Sequence, residues 1–185
     1  VVVGGGIFAI GWADNAAMKR AAKMTAGPGE FSFATWLKIG EDDVVTIYSP
    51  HIDFGQGSHT ALGQMAADEL DADWAKIKVE QAPAETAFAN TPLGKEFLAE
   101  MSGFPGLVNA VPNAVISMLA RAMPLQITGG STAIRMTGQH GIRVVAAAAR
   151  SAMLTVAGKR LNVPSADLTV EKGVISHPAS GRSLR

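Results

Sequence analysis

The sequence contains no cysteine. No disulfide, thiolate zinc site or cysteine-held iron–sulfur cluster can form within the chain, so any electrons that move must leave through a partner. The missing thiols are silent on compartment, since a protein without cysteine suits cytosol and periplasm alike. Net charge is missing as well. The 16 basic and 16 acidic side chains cancel, no basic block stands ready to neutralise a run of phosphates, and nucleic-acid binding has no electrostatic support. Aromatic residues are 6% of the chain, and Trp12, Trp36 and Trp74 read as core or boundary anchors. What remains is 185 residues, 48% apolar, with 20 glycines. That composition fits one globular domain or a sizeable piece of a larger one, and argues against disorder.

Some catalytic strings are absent too. No Gly-Lys-Ser/Thr follows either glycine-rich stretch, so the nucleotide-triphosphate loop is excluded. No Gly-x-Ser-x-Gly elbow exists to support Ser-His-Asp hydrolysis. His51, Asp53 and His59 offer a His-x-Asp pair, yet a third and fourth metal ligand are not evident, and no metal ligand is assigned.

The N-terminal stretch Val1 to Ala13 is uncharged, too short to span a bilayer, and leads into Lys19, Arg20 and Lys23. Three readings stay open. It is an ordinary buried segment, or the apolar core of a secretory signal or anchor, or an imitation of a dinucleotide-binding turn with Gly4, Gly6 and Ala9. The last also needs an acidic residue ending a second strand about 20 positions on. Glu30 stands near that distance but follows Gly27-Pro28-Gly29, and so begins a strand instead of ending one. The chain opens on Val1, as a trimmed or processed product does. The expected division is therefore a signal or anchor remnant or N-terminal segment over 1–26, and a single domain portion over 27–185.

After Gly29 the pattern turns to strands. Phe31, Phe33, Thr35, Leu37 and Ile39 alternate along one run, Gly40 to Asp43 supply turn residues, and Val44 to Tyr48 form a second run, which together predict a hairpin. From Ser58 the period becomes helical, with Ala61, Leu62, Met65, Ala66 and Leu70 on one face, followed by a strand over Ile77 to Gln81. The stretch from Ala82 to Gln126 is rich in Pro, Gly and Asn and reads as a long excursion with a short helix near Asn113 to Ala122. A long helix is predicted over roughly 137–161, with Ile142, Val145, Ala146, Ala149, Met153, Val156 and Ala157 as its stripe. A last small hairpin turns at Lys172-Gly173. The fold class is α+β, a mixed sheet with hairpins and two main helices.

Two glycine-rich loops, each feeding a helix, carry the chemistry to weigh. A helix start leaves backbone N–H groups unpaired and partly positive, so a loop before it can wrap a phosphate. Gly55 and Gly57 permit close backbone approach, and Ser58, Thr60, Ser131 and Thr132 add hydroxyls. Arg135 is the nearby guanidinium able to fork onto a phosphate. Gln56, an amide between two glycines at a strand-to-helix corner, can both donate and accept. Both loops also read as capped turns that bind nothing.

The string Pro50-His51-Ile52-Asp53-Phe54-Gly55-Gln56-Gly57-Ser58-His59-Thr60, with Asp68-Glu69-Leu70, Asn90-Thr91 and Thr128-Gly129-Gly130-Ser131-Thr132-Ala133-Ile134-Arg135, resembles the large, molybdopterin-binding subunit of xanthine oxidase-type molybdenum hydroxylases. The wording is nearest to the isoquinoline 1-oxidoreductase and membrane-associated aldehyde dehydrogenase types, and the likeness runs from about Phe31 onward. The resemblance implies that 27–185 is part of a molybdopterin-binding domain, from the N-terminal portion of a much longer subunit. It implies molybdopterin cytosine dinucleotide as cofactor, with Phe54, Gly55, Gln56 and Gly57 on the molybdenum side and Gln56 in a catalytic role. Ser58, His59, Thr60 and Thr128, Gly129, Gly130, Ser131, Thr132 would meet pterin or phosphate. Implied partners are an iron–sulfur small subunit and the remainder of the large subunit, the substrate an aldehyde or N-heterocycle, and the location periplasmic or membrane-associated, although no twin arginine is present. This chain alone is expected to be inactive. The excursion from Glu96 to Pro124 is longer than the resemblance leads one to expect. A non-enzymatic α/β module binding a phosphate-bearing ligand or a protein partner is the alternative.

Overall fold

The computed structural model describes residues 15–122 and 129–185. The signal, anchor and dinucleotide readings of Val1 to Ala13 lie outside those residues, as do Trp12 and Thr128. The first described element is α1 (Asn15–Thr25), whose Ala21 enters the main core.

A four-stranded sheet follows in the order β1 (Glu30–Ala34), β2 (Leu37–Gly40), β3 (Val45–Ser49) and β4 (Ile77–Gln81). The single alternating run expected over 31–39 is in fact two antiparallel strands that reverse at Thr35-Trp36. Phe31 pairs with Ile39 and Ser32 with Lys38. Next to the turn Ala34 opposes Leu37, of unlike parity in sequence number, and a bulge between Ser32 and Ala34 shifts the register by one. From the Ser32 and Lys38 pair outward, opposed residues share both a face and parity, so the alternation continues and periodicity cannot see the reversal.

Strand β4 runs parallel to β3. Parallel neighbours need a crossover, and α2 (Ser58–Leu70) supplies it. Leu62, Ala66 and Leu70 on its inner face share the main core with Leu37, Val45 and Ile47 of the sheet. The helix stops at Asp71, which takes a left-handed conformation (φ 50°) and returns its N–H to Ala67 and Asp68.

The expected helix starts earlier than its stripe suggested. Here α6 (Ser131–Thr137) passes through a π-helical turn, Gly138–Ile142, into α7 (Arg143–Leu161). An extra residue in a turn shifts the phase of the apolar stripe, so the pattern read from α7 does not extend back into α6. Gly138 abuts Met65 and Gly141 abuts Trp36, close approaches that a side chain would block. By length and composition this continuous 31-residue helix could cross a membrane. Its Val145, Ala146 and Ala149 are instead buried in the main core.

The excursion is more helical than expected. It holds α3 (Thr91–Ser102), α4 (Pro105–Ala110) and α5 (Asn113–Ala122), the last matching the one helix foreseen there. Asn90 caps α3 by accepting from Leu93 N, and Pro92 and Pro105 stand in first turns, where a missing N–H costs nothing. These helices close on a small core of Ala99, Val108 and Ile116, leaving Met101, Phe104, Leu107 and Met118 exposed.

A second, antiparallel sheet of β5 (Thr169–Glu171), β6 (Val174–His177) and β7 (Arg182–Leu184) ends the chain. Its first turn is the Lys172-Gly173 pair, both at positive φ (48° and 78°), as a tight hairpin requires. Leu168, Ile175 and Leu184 cover Ala157 and Leu161 of α7.

Candidate functional site

The chain leaves β3 at its carboxyl end and passes through Pro50 to Gly57 before α2 begins, the end of an α/β sheet where ligands commonly bind. Gly55 and Gly57 hold φ at 99° and 82°, so the corner needs glycine at both positions. Between them Gln56 folds back onto its own loop. Its Oε1 accepts from Phe54 N at 2.6 Å, and its Nε2 donates to the Ile52 carbonyl at 2.8 Å. The same Nε2 stands 3.4 Å from the carbonyl of Gly129, at the other glycine loop. One amide thus joins both corners. Phe54 is 77% exposed beside them, an open aromatic face.

Asp53 organises the first loop. One carboxylate oxygen accepts from Gly55 N at 2.7 Å; the other accepts from His59 N at 2.9 Å and from the Ser58 hydroxyl at 3.2 Å. The backbone N–H of His59, followed by that of Gly55, holds the Asp53 carboxyl below its ordinary range. Gly57 at the helix boundary has no side chain to cap with, and Asp53 does that work from four residues earlier. The positive start of α2 therefore already faces an anion of its own chain.

This placement bears on the residues expected there. Ser58 is fully buried, with its hydroxyl turned to Asp53, so it holds the loop from inside. His59 is half-buried, and its Nε2 donates to the His51 carbonyl at 3.0 Å. Thr60 is exposed on the first turn of α2.

The second loop is built differently. Gly130 precedes α6 in an extended conformation, and no side chain caps that helix. Its first turn carries no acidic residue, and Ser131 and Thr132 are exposed. Arg135, also exposed, lies one helical turn on from Ser131 and shares its face. Among the described residues the start of α6 has no acidic residue in its first turn and no side-chain cap, whereas that of α2 faces Asp53. Gly129, by contrast, is buried, and a Cβ there would stand 2.8 Å from both His51 Nδ1 and the Ala133 Cβ.

Sequence reasoning passed over what lies beneath. His51 and Thr137 are fully buried and Asn90 nearly so. His51 Nε2 is 2.8 Å from Thr137 Oγ1, and Asn90 Nδ2 donates to that same oxygen at 2.8 Å. The three come from the end of β3, the cap of α3 and the end of α6. No spacing in sequence relates them, although a histidine directly after a strand-ending proline was a visible oddity.

Among the described residues no group of three or more His, Cys, Asp or Glu gathers as a metal site. Glu30 pairs with Lys38 at 2.9 Å and accepts from Gly27 N, a strand-start brace instead of a ribose contact.

A family model described as a molybdopterin cofactor-binding domain matches residues 3–95. The chain is 30% identical over 164 residues to the isoquinoline 1-oxidoreductase subunit beta of Brevundimonas diminuta, covering 88% of this chain and 17% of that protein. It is 24% identical over 158 residues to the membrane-bound aldehyde dehydrogenase [pyrroloquinoline-quinone] of Gluconacetobacter polyoxogenes, covering 85% of this chain and 16% of that protein. The chain therefore spans only about a sixth of the length of these relatives.

Proposed function

The chain belongs to the molybdopterin cofactor-binding domain family, and on that premise we propose that it is the part of a molybdenum hydroxylase that holds a pyranopterin dinucleotide across the two glycine loops. The observation that carries this reading is the Gln56 amide reaching the Gly129 carbonyl, which makes the loops a single corner. The donor set supports it. The uncapped start of α6 with Ser131, Thr132 and Arg135 suits the phosphates, and Thr128 completes that string in sequence. The open edge over Phe54, Gly55, Gln56 and Gly57 suits the pterin and molybdenum side, with Thr60 at the rim and Ser58 and His59 bracing from behind.

When bound, the group supplies the redox chemistry: hydroxylation of an electron-poor carbon of an aldehyde or N-heterocycle with oxygen from water. The chain's own residues position. Asp53 keeps the glycine corner rigid, so backbone N–H groups need not reorganise as charge develops. Gln56 is the catalytic side chain in this reading, its amide already oriented by the Phe54 N–H and the Ile52 carbonyl. Electrons leave to an iron–sulfur small subunit, in keeping with the absence of cysteine here. The cofactor is the cytosine dinucleotide form, and the rest of a longer subunit builds the substrate pocket, so this chain alone is inactive. The complete protein resides in the periplasm or on a membrane.

Native mass spectrometry of the complete gene product tests the proposal. A bound pyranopterin dinucleotide is expected. An empty protein would favour a non-enzymatic module, with both loops serving as turns. Cell fractionation separates periplasm and membrane from cytoplasm.

A further inference from the structure

We propose that His51 is a positioning residue: its buried imidazole sets the separation of the two glycine loops, and with it the fit of a group held across them. This rests on the reading of the corner as a pyranopterin site.

The ring lies between three elements. On its Nδ1 side Gly129 approaches so closely that a Cβ would stand 2.8 Å from Nδ1 and 3.1 Å from Cε1. On its other edge Nε2 meets Thr137 Oγ1 at 2.8 Å, and Asn90 Nδ2 fixes that hydroxyl at 2.8 Å. The His51 main chain serves the first loop, where its carbonyl accepts from His59 Nε2 at 3.0 Å and from Ser49 Oγ at 3.0 Å. One residue thus fixes the start of α2 through its carbonyl and the entry to α6 through its ring. His51 and Thr137 are fully buried, so losing Nε2 takes from the Thr137 hydroxyl a partner that solvent does not readily replace and leaves it with Asn90 alone on that side. Movement of the ring carries Gly129 with it, because the glycine backbone rests against the imidazole edge.

The geometry also says which atom matters. A glutamine amide reaches the place of Nε2 and can donate or accept there, whereas an asparagine amide reaches only the place of Nδ1. Four variants of the complete gene product follow: His51→Gln, His51→Asn, Thr137→Ser and Thr137→Val. Amide hydrogen exchange of residues 54–58 and 129–132 is measured on cofactor-free protein, and molybdenum per protein on the loaded form. His51→Asn and Thr137→Val are expected to raise loop exchange about tenfold and to lower molybdenum content about tenfold. His51→Gln and Thr137→Ser should stay within about twofold of wild type. The proposal is overturned if His51→Gln behaves like His51→Asn, which would make ring volume the cause, or if neither loop responds to Thr137→Val. Should His51→Asn not fold, the Thr137 pair decides alone, since valine keeps the shape and serine keeps the hydroxyl. A wild-type product without pyranopterin would sink the functional reading, while the exchange comparison still decides whether His51 spaces the loops.

Discussion

The corner at 54–57 is shaped by its own side chains, whereas the corner at 129–132 is shaped by what presses on it. In the first, Asp53, Gln56 and Ser58 cross-brace a turn that two positive-φ glycines permit. In the second, no side chain caps the helix, Gly130 is extended, and Gly129 is flattened against the His51 ring. The difference is electrostatic as well as geometric. The helix after the first loop meets the carboxylate of Asp53, and among the described residues the helix after the second has no acidic residue in its first turn and no side-chain cap. Read from their residues alone, both glycine loops are phosphate cradles or capped turns, with nothing to tell the two apart. In the proposed reading this difference divides the labour: the loop already neutralised by Asp53 orients, and the loop without a cap meets the anion.

The strongest way to break that contrast is Gly129→Ala in the complete gene product. With a Cβ 2.8 Å from His51 Nδ1 and from Ala133, the main chain must shift at an expected cost of about 1–3 kcal/mol. Molybdenum per protein, read by elemental analysis, should fall about 5- to 150-fold. Next comes Gln56→Ala, which removes the amide shared by both loops. Turnover should fall about 10- to 100-fold, and molybdenum content much less, because the bracing by Asp53 remains. An unchanged steady-state rate would contradict the role given to Gln56.

Ser131→Ala sharpens the comparison from the other side. An exposed hydroxyl that caps nothing contributes little to the fold, so Tm should hold while molybdenum content drops about two- to tenfold. The smallest effect is expected from Asp53→Asn, and it appears in acid. Because the folded-state pKa of Asp53 lies below its ordinary value near 3.8, its contribution is present in full above that value. It fades as pH falls through the lowered folded value. A pH series of thermal unfolding should show wild type losing stability over that acidic span, with Asp53→Asn less stable at neutral pH and flatter below. Parallel curves would rule out the Asp53 clamp.

Much of this was legible in the residues. The strand at Ile77–Gln81, the helix at Asn113–Ala122 and the turn at Lys172-Gly173 follow from alternation, helical period and glycine placement, all of which are local. So does the pairing of a Gly-Gln-Gly loop with a Gly-Gly-Ser-Thr loop as the place to look. Three features escaped for physical reasons. The reversal at Thr35-Trp36 is accompanied by a bulge between Ser32 and Ala34 that restores the parity of the alternating run. The start of α6 is hidden by a phase shift at the π-helical turn. In α3 the main signal is a cap, Asn90, whose other partner lies 47 positions away on Thr137.

The sequence by itself determined that both corners carry glycines, that hydroxyls and one guanidinium accompany the second, and that no thiol could hold iron or zinc. Side-chain chemistry and backbone freedom are properties of single residues, and they are readable one at a time. Only tertiary structure decided that Ser58 turns inward, that Asp53 faces the start of α2, and that His51, Asn90 and Thr137 meet beneath the two loops. Those outcomes depend on which elements the packed sheet and helices bring within hydrogen-bond distance, a relation that spacing along the chain does not encode.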